Sequence, residues 1–307
     1  MRLDKKAIYP IQEWDITEDK FDRKHNYRNE TTFSLSNGYI GTRGTFEEAY
    51  AFDIDTGLEG NFVNGFYERE KIRYGEANFG SPLFSQSLLN LPNLKETKLY
   101  IDGEEFDMEQ GTMEDYQRTL HMKDGVLERK MVWRSPQGKR IKIEIKRLVS
   151  FEVTPMNFSG EIRFVSRLQA DVENHTRKTN PIVDYGPFGR KLEPEKLFGD
   201  EKRLYYKGIT QNSRLTVACG SAHKIVSEDA VVETSTEVGE LDAALTLKIT
   251  GCEGKKITLE KMICYSTSLD MAEEKLETFV EQTLYAAEEK GYLKLEQAQK
   301  RYMQSFW

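Results

Sequence analysis

The chain has 307 residues, 31% of them charged, and a formal net charge of −7 at pH 7. That mildly acidic balance, with no basic stripe interleaved with aromatics, argues against nucleic acid or an anionic membrane as a partner. Residues 1–10 lack the apolar core of a signal peptide and no apolar run approaches a membrane span, so a cytoplasmic protein is expected.

In chain order, residues 29–48 stand out first. Gly38, Gly41 and Gly44 are spaced three apart, with polar, charged and aromatic residues in the gaps. Glycine at that density permits positive φ or close backbone approach, so the segment predicts strand, sharp turn and strand, not helix. Arg43 and Glu47 within it have two readings. They could line a sugar or phosphate pocket, the guanidinium gripping anionic oxygens, or they could pair with each other and brace the turn. Phe62, Phe66, Tyr67 and Tyr74 follow, among Asn, Arg and Glu. That palette suits sugar binding and equally suits the core and rim of a β-sandwich.

Most of residues 1–265 predicts strand. Asp102-Gly103 and Asp124-Gly125 each read as a type I′ hairpin turn, because both central residues need positive φ. Pro136-Gln-Gly138 supplies a further turn. Residues 141–151, from Ile141 to Phe151, alternate apolar and polar, as do Leu241 to Ile249. Ile257 to Tyr265 nearly do, with Lys261 breaking the inward set. Such alternation fits antiparallel sheets with one buried face, and many short strands indicate a sandwich. Residues 171–204, rich in Pro, Gly and charge, read as a long excursion between strands.

The pattern changes after Ser268. Asp270-Met-Ala-Glu273 is a capping pattern, with Asp270 expected to accept from free amides. Leu276, Phe279, Val280 and Leu284 recur at helical spacing, and Gly291 supplies a stop. In a second helix Tyr292, Leu295, Gln299, Tyr302 and Phe306 share one face. The division is therefore a sandwich over 1–268 and a helical pair over 269–307. Aromatic residues end the last helix in mid-face, so the chain is expected to be a piece of a longer protein.

Chemistry-bearing motifs are sparse. His25, His121, His175 and His223 lie far apart, without zinc-ligand spacing, so no metal site is expected. Cys219, Cys252 and Cys264 read as small core residues. Gly251-Cys-Glu-Gly254-Lys255 is too short for a phosphate loop and reads as a hairpin turn. The Gly38/Gly41/Gly44 series lacks dinucleotide-site spacing. Adjacent carboxylates at Glu47-Glu48, Glu104-Glu105 and Glu273-Glu274 read as solvated faces, since sequence neighbours do not face each other. No catalytic residue and no cofactor is predicted.

An ordered set of motifs nevertheless resembles one family. Trp14-Asp-Ile-Thr-Glu18, Asn37-Gly-Tyr-Ile-Gly-Thr-Arg-Gly44, Asn64-Gly-Phe-Tyr-Glu68, Arg73-Tyr-Gly-Glu76, Leu91-Pro-Asn93, Asn157-Phe-Ser-Gly160 and the closing helix to Phe306-Trp307 are similar to the glycoside hydrolase family 65 phosphorylases, with the two middle blocks more like the kojibiose than the maltose branch. The resemblance implies a large antiparallel sandwich similar in fold to galactose mutarotase, a helical linker, and an (α/α)6 catalytic barrel beyond this chain. It implies a homodimer that acts on an α-linked glucose disaccharide, with inorganic phosphate as co-substrate and inversion to β-glucose 1-phosphate. The family's general acid has no counterpart here, so the chain is expected to be non-catalytic. Arg43, Glu47, Phe66, Tyr67 and Tyr74 remain the candidate substrate contacts. A carbohydrate-binding module and a mutarotase-like epimerase, with His175 as its tempting base, are the alternatives.

Overall fold

The computed structural model describes residues 8–49, 57–76, 79–147, 150–175, 183–184, 189–228 and 232–307. Two antiparallel sheets face each other. Among the described residues the larger has nine strands, in spatial order Asp15–Glu18, Thr112–His121, Val126–Arg134, Arg140–Arg147, Ser150–Pro155, Ile257–Thr267, Thr216–Ser227, Arg203–Thr210 and Leu192–Gly199. The smaller orders Val232–Val238, Asp242–Gly251, Gly160–Gln169, Thr97–Ile101 and Glu104–Glu105. The expected mainly-β sandwich is the fold observed.

The period-two pattern explains the core. Ile141, Ile143 and Ile145 of the large sheet and Leu245, Leu247 and Ile249 of the small one are all buried in one cluster. Phe151 and Phe164 join the two sheets edge to face at 5.4 Å. Each such side chain, once buried, contributes about 1.5–3 kcal/mol.

Several local expectations change. Residues 141–151 are not one strand: Arg140–Arg147 and Ser150–Pro155 form a hairpin, with Ile145 opposite Phe151. An even-length reversal keeps the same parity inward, so alternation alone does not reveal it. Gly251–Lys255 is not a hairpin turn, because the Asp242–Gly251 and Ile257–Thr267 strands lie in different sheets. It is the corner where the chain crosses the sandwich, and Cys252 is exposed there, unlike buried Cys219. Asp102 and Gly103 do form a two-residue turn, with φ of 45° and 85°. Asp124-Gly125 instead ends a four-residue turn between His121 and Val126, where Gly125 alone of the pair has positive φ. The 171–204 stretch contains an edge strand of the large sheet, Leu192–Gly199.

Three α-helices complete the described structure. The first, α1, spans Asn26–Thr32, so residues 29–32 are helical and the predicted strand begins later, at Leu35. The second, α2, spans Leu276–Lys290 and sets Leu276, Val280 and Leu284 against Tyr205, Ala218, Ala222 and Met262 of the large sheet. Asp270 does not cap it. Its carboxylate accepts from Thr267 and from the Tyr39 hydroxyl at 2.5 Å, and the helical turn starts after Ala272. The third, α3, spans Tyr292–Phe306. Tyr292 is buried and Leu295 half-buried, whereas Tyr302 and Phe306 are exposed; Gln299 and Met303 instead reach the sheet beside Gly125. Trp307 packs edge to face on Trp14 at 5.0 Å.

Candidate functional site

The glycine segment forms Leu35–Ser36 and Ile40–Thr42, paired as a hairpin, with Asn61–Val63 as the third strand of a small sheet. Two of its glycines are required by geometry. Gly38 has φ of +85°, and a Cβ on Gly44 would lie 2.8 Å from the Phe33 backbone. That close approach packs the loop against the end of α1.

The strands there carry arginine where the neighbouring pleats carry core residues. Arg118 lies opposite Arg129, and Arg129 opposite Ile145. Three buried or nearly buried arginines thus face the glycine loop, and each finds a carboxylate. Arg118 Nε donates to Glu18 at 2.9 Å and Arg118 Nη1 to the Gly44 carbonyl at 3.0 Å. Arg129 grips both oxygens of Glu48 and reaches Glu47 at 3.1 Å. Arg147 donates to Glu47 at 2.6 and 2.8 Å and to the Arg43 carbonyl at 2.7 Å. Burial by itself would raise the Glu47 pKa, but the charges of Arg147 and Arg129 outweigh it and hold the group at about 2. Glu47-Glu48 is therefore not a solvated face. Both carboxylates point inward because the backbone leaves the strand after Thr42.

Nor do Arg43 and Glu47 pair with each other. Arg43 donates to the carbonyls of Leu58 at 2.8 Å and Tyr27 at 3.2 Å and lies 3.4 Å from Glu30. It clamps the loop to α1, while Glu47 binds the sheet arginines.

Beside this network lies a cavity of about 430 Å3, within the range of small-molecule sites. Ile40, Ile145, Phe151 and Leu259 give it apolar walls; Asn61, Lys95, Arg147 and Lys261 converge on it; Gln299 and Met303 of α3 line it too. Lys95 bonds Glu59 at 2.6 Å, and that contact keeps Glu59 below the usual carboxylate range against the burial that would raise it. Lys261 shares the inner face with Leu259 and Tyr265, and its Nζ donates to the Glu96 carbonyl at 2.8 Å and Thr97 Oγ1 at 3.1 Å. Burial drives its pKa down to about 7, with Glu96 and Glu47 opposing. A more open groove of about 700 Å3 beside Tyr9, Asp22 and Arg28 has no comparable convergence of buried charge.

Of the predicted contacts, Glu47 alone lines the cavity. Phe66 is fully buried in the sandwich core and presents no face to a ligand. Tyr67 is exposed on Tyr67–Lys71, and Tyr74 donates to the Pro82 carbonyl at 2.8 Å on a separate two-stranded ribbon. His175 is exposed and not among the lining residues. Lys95, Asn61 and Arg147 were silent in the sequence. Lys261 did leave a signal, as a charge at an inward strand position.

Comparison with known proteins places this architecture. The family model described as "Glycosyl hydrolase family 65, N-terminal domain" matches residues 16–306. The alpha,alpha-trehalose phosphorylase of Thermoanaerobacter brockii is 38% identical over 99% of this chain and 40% of its own length. A kojibiose phosphorylase of Caldanaerobacter subterraneus is 29% identical over 91% of this chain and 36% of its own. In fold, the chain is similar to a solved structure titled as a candidate kojibiose phosphorylase from human microbiome, with a TM-score of 0.79, 20% identity, and coverage of 94% of this chain and 37% of that one. The chain thus spans about 40% of the length of the trehalose phosphorylase it matches. It belongs to glycosyl hydrolase family 65 and carries that family's N-terminal domain.

Proposed function

We propose that this chain is the non-catalytic N-terminal domain of a cytoplasmic disaccharide phosphorylase, structural and dimer-forming in role. The observation that carries the reading is the match of residues 16–306 to the family's N-terminal domain, set beside relatives named trehalose and kojibiose phosphorylases that it covers for about two-fifths of their length. The chemistry would reside in an (α/α)6 barrel, with this domain's own catalytic partner supplying the acid. There a carboxylic acid protonates the glycosidic oxygen while phosphate attacks the anomeric carbon from the opposite face, so no second carboxylate is required. The substrate would be an α-linked glucose disaccharide, and the products β-glucose 1-phosphate and glucose.

The test is direct. Purified chain, incubated with phosphate and trehalose, kojibiose or maltose, should release no glucose 1-phosphate above buffer, whereas the protein extended through a barrel should release it. Turnover by the chain alone would overturn the non-catalytic role. Sedimentation of the extended protein as a monomer would overturn the dimer.

A further inference from the structure

The cavity between the glycine hairpin, the large sheet and α3 carries an unbalanced positive charge. Four cations line it, Lys95, Lys146, Arg147 and Lys261, against one carboxylate, Glu47. Three of the four are matched. Arg147 pairs with Glu47 at 2.6 Å, Lys95 with Glu59 at 2.6 Å, and Lys146 lies 3.4 Å from Glu296 of α3. Lys261 has no carboxylate within ion-pair distance among the described residues. Its Nζ donates to two neutral oxygens, the Glu96 carbonyl at 2.8 Å and Thr97 Oγ1 at 3.1 Å, while the Glu96 carboxylate sits 3.6 Å from Arg167. An ammonium has three donors, so one is left over. Burying a charge without a counter-ion is costly, because little water reaches it to offset the charge. Lys261 keeps 9% of its surface exposed and lines the cavity, so a ligand placed there meets it.

One negative charge would balance the cavity. An acceptor that carries it forms the stronger, charge-assisted kind of hydrogen bond with the ammonium. The other walls decide what bears that charge. Ile145, Phe151, Leu259 and Ile263 are apolar, and covering them favours a ligand with an apolar body. An inorganic dianion would bring twice the charge that is open and leave those walls wet. A carboxylate on an apolar body brings a single charge at any pH above about 5 and covers them. We propose that this cavity binds a small organic carboxylate, its head paired with Lys261 and its body laid against Ile145, Phe151 and Leu259.

The experiment is titration calorimetry of the chain at about pH 6, where Lys261 holds its proton, with three probes: benzoate, its neutral analogue benzyl alcohol, and sulfate. It is repeated on Lys261→Met, Ile263→Trp and Tyr74→Ala. Lys261→Met removes the charge and keeps the buried stem. Ile263 lines the cavity yet is 37% exposed, so the larger ring blocks the space without disturbing the core. Saturable binding of benzoate is expected, with benzyl alcohol and sulfate weaker by at least about tenfold, or about 1.4 kcal/mol. Each cavity variant should weaken benzoate by at least about the same factor, and Tyr74→Ala, on its separate ribbon, should leave it unchanged. If Lys261→Met fails to fold, Ile263→Trp and the neutral analogue decide. No saturable heat with benzoate would overturn the proposal, as would benzyl alcohol or sulfate binding as tightly, or benzoate binding that survives the cavity variants.

Discussion

Arg129→Met is the sharpest perturbation of the charge network. Arg129 is 3% exposed and bonds both oxygens of Glu48, whose side chain is equally buried. The guanidinium also lies 4.2 Å from the Phe46 ring centre. Methionine preserves the stem and much of that ring contact, so the loss is mainly electrostatic. Glu47 keeps Arg147 at 2.6 Å, so Glu48 is the group left as a buried carboxylate without a cation. Breaking a buried pair in this way costs about 3–5 kcal/mol, whereas replacing both partners by apolar residues is often neutral. Arg129→Met should therefore lose about 3–5 kcal/mol in urea unfolding followed by tryptophan fluorescence, Trp133 being buried nearby in the same strand. The double variant Arg129→Met/Glu48→Met should recover most of that loss. A single variant costing under about 1 kcal/mol, or a double variant no better than the single, would refute the reasoning.

Three further outcomes follow from the same geometry. Glu47, held near 2 against an ordinary 4.5, contributes stability that is complete above about pH 4.5 and is lost as pH falls toward 2, about 3 kcal/mol in all. The stability gap between wild type and Glu47→Gln should close over that window, and a constant gap would contradict the assignment. Lys261 has the same sign in a higher window: its pKa falls from 10.5 to about 7 on folding, so the unfolded chain binds more protons between those values and stability rises with pH across them. Lys261→Met should flatten that rise in denaturant titrations, and an unaltered slope would count against it. Gly44→Ala places a Cβ 2.8 Å from Phe33 backbone and should cost about 1–3 kcal/mol, while Gly41→Ala, whose nearest neighbour is 3.8 Å away, should stay within about 1 kcal/mol in thermal melts. Equal losses at the two glycines would show that spacing, not close approach, matters.

What the chain made legible and what it hid divide along a physical line. Alternation in Leu241–Ile249 and Ile257–Tyr265, the Asp102-Gly103 turn, and the 276/280/284 face of α2 are local, because each rests on a backbone period or a turn dihedral. They established a mainly-β sandwich with two closing helices. The hairpin hidden inside 141–151 escaped because its reversal preserves parity. The crossover at Gly251–Lys255 escaped because a turn's residues do not say which sheet receives the next strand. The site escaped most completely. Arg118, Arg129 and Arg147 read as ordinary strand charges until the glycine loop is laid over them, and Glu47-Glu48 read as a wet face until that loop turns them inward. Sequence periodicity determines which residues share a face; only the packing of distant segments decides which faces meet, and so where buried charge finds its partner or goes without one.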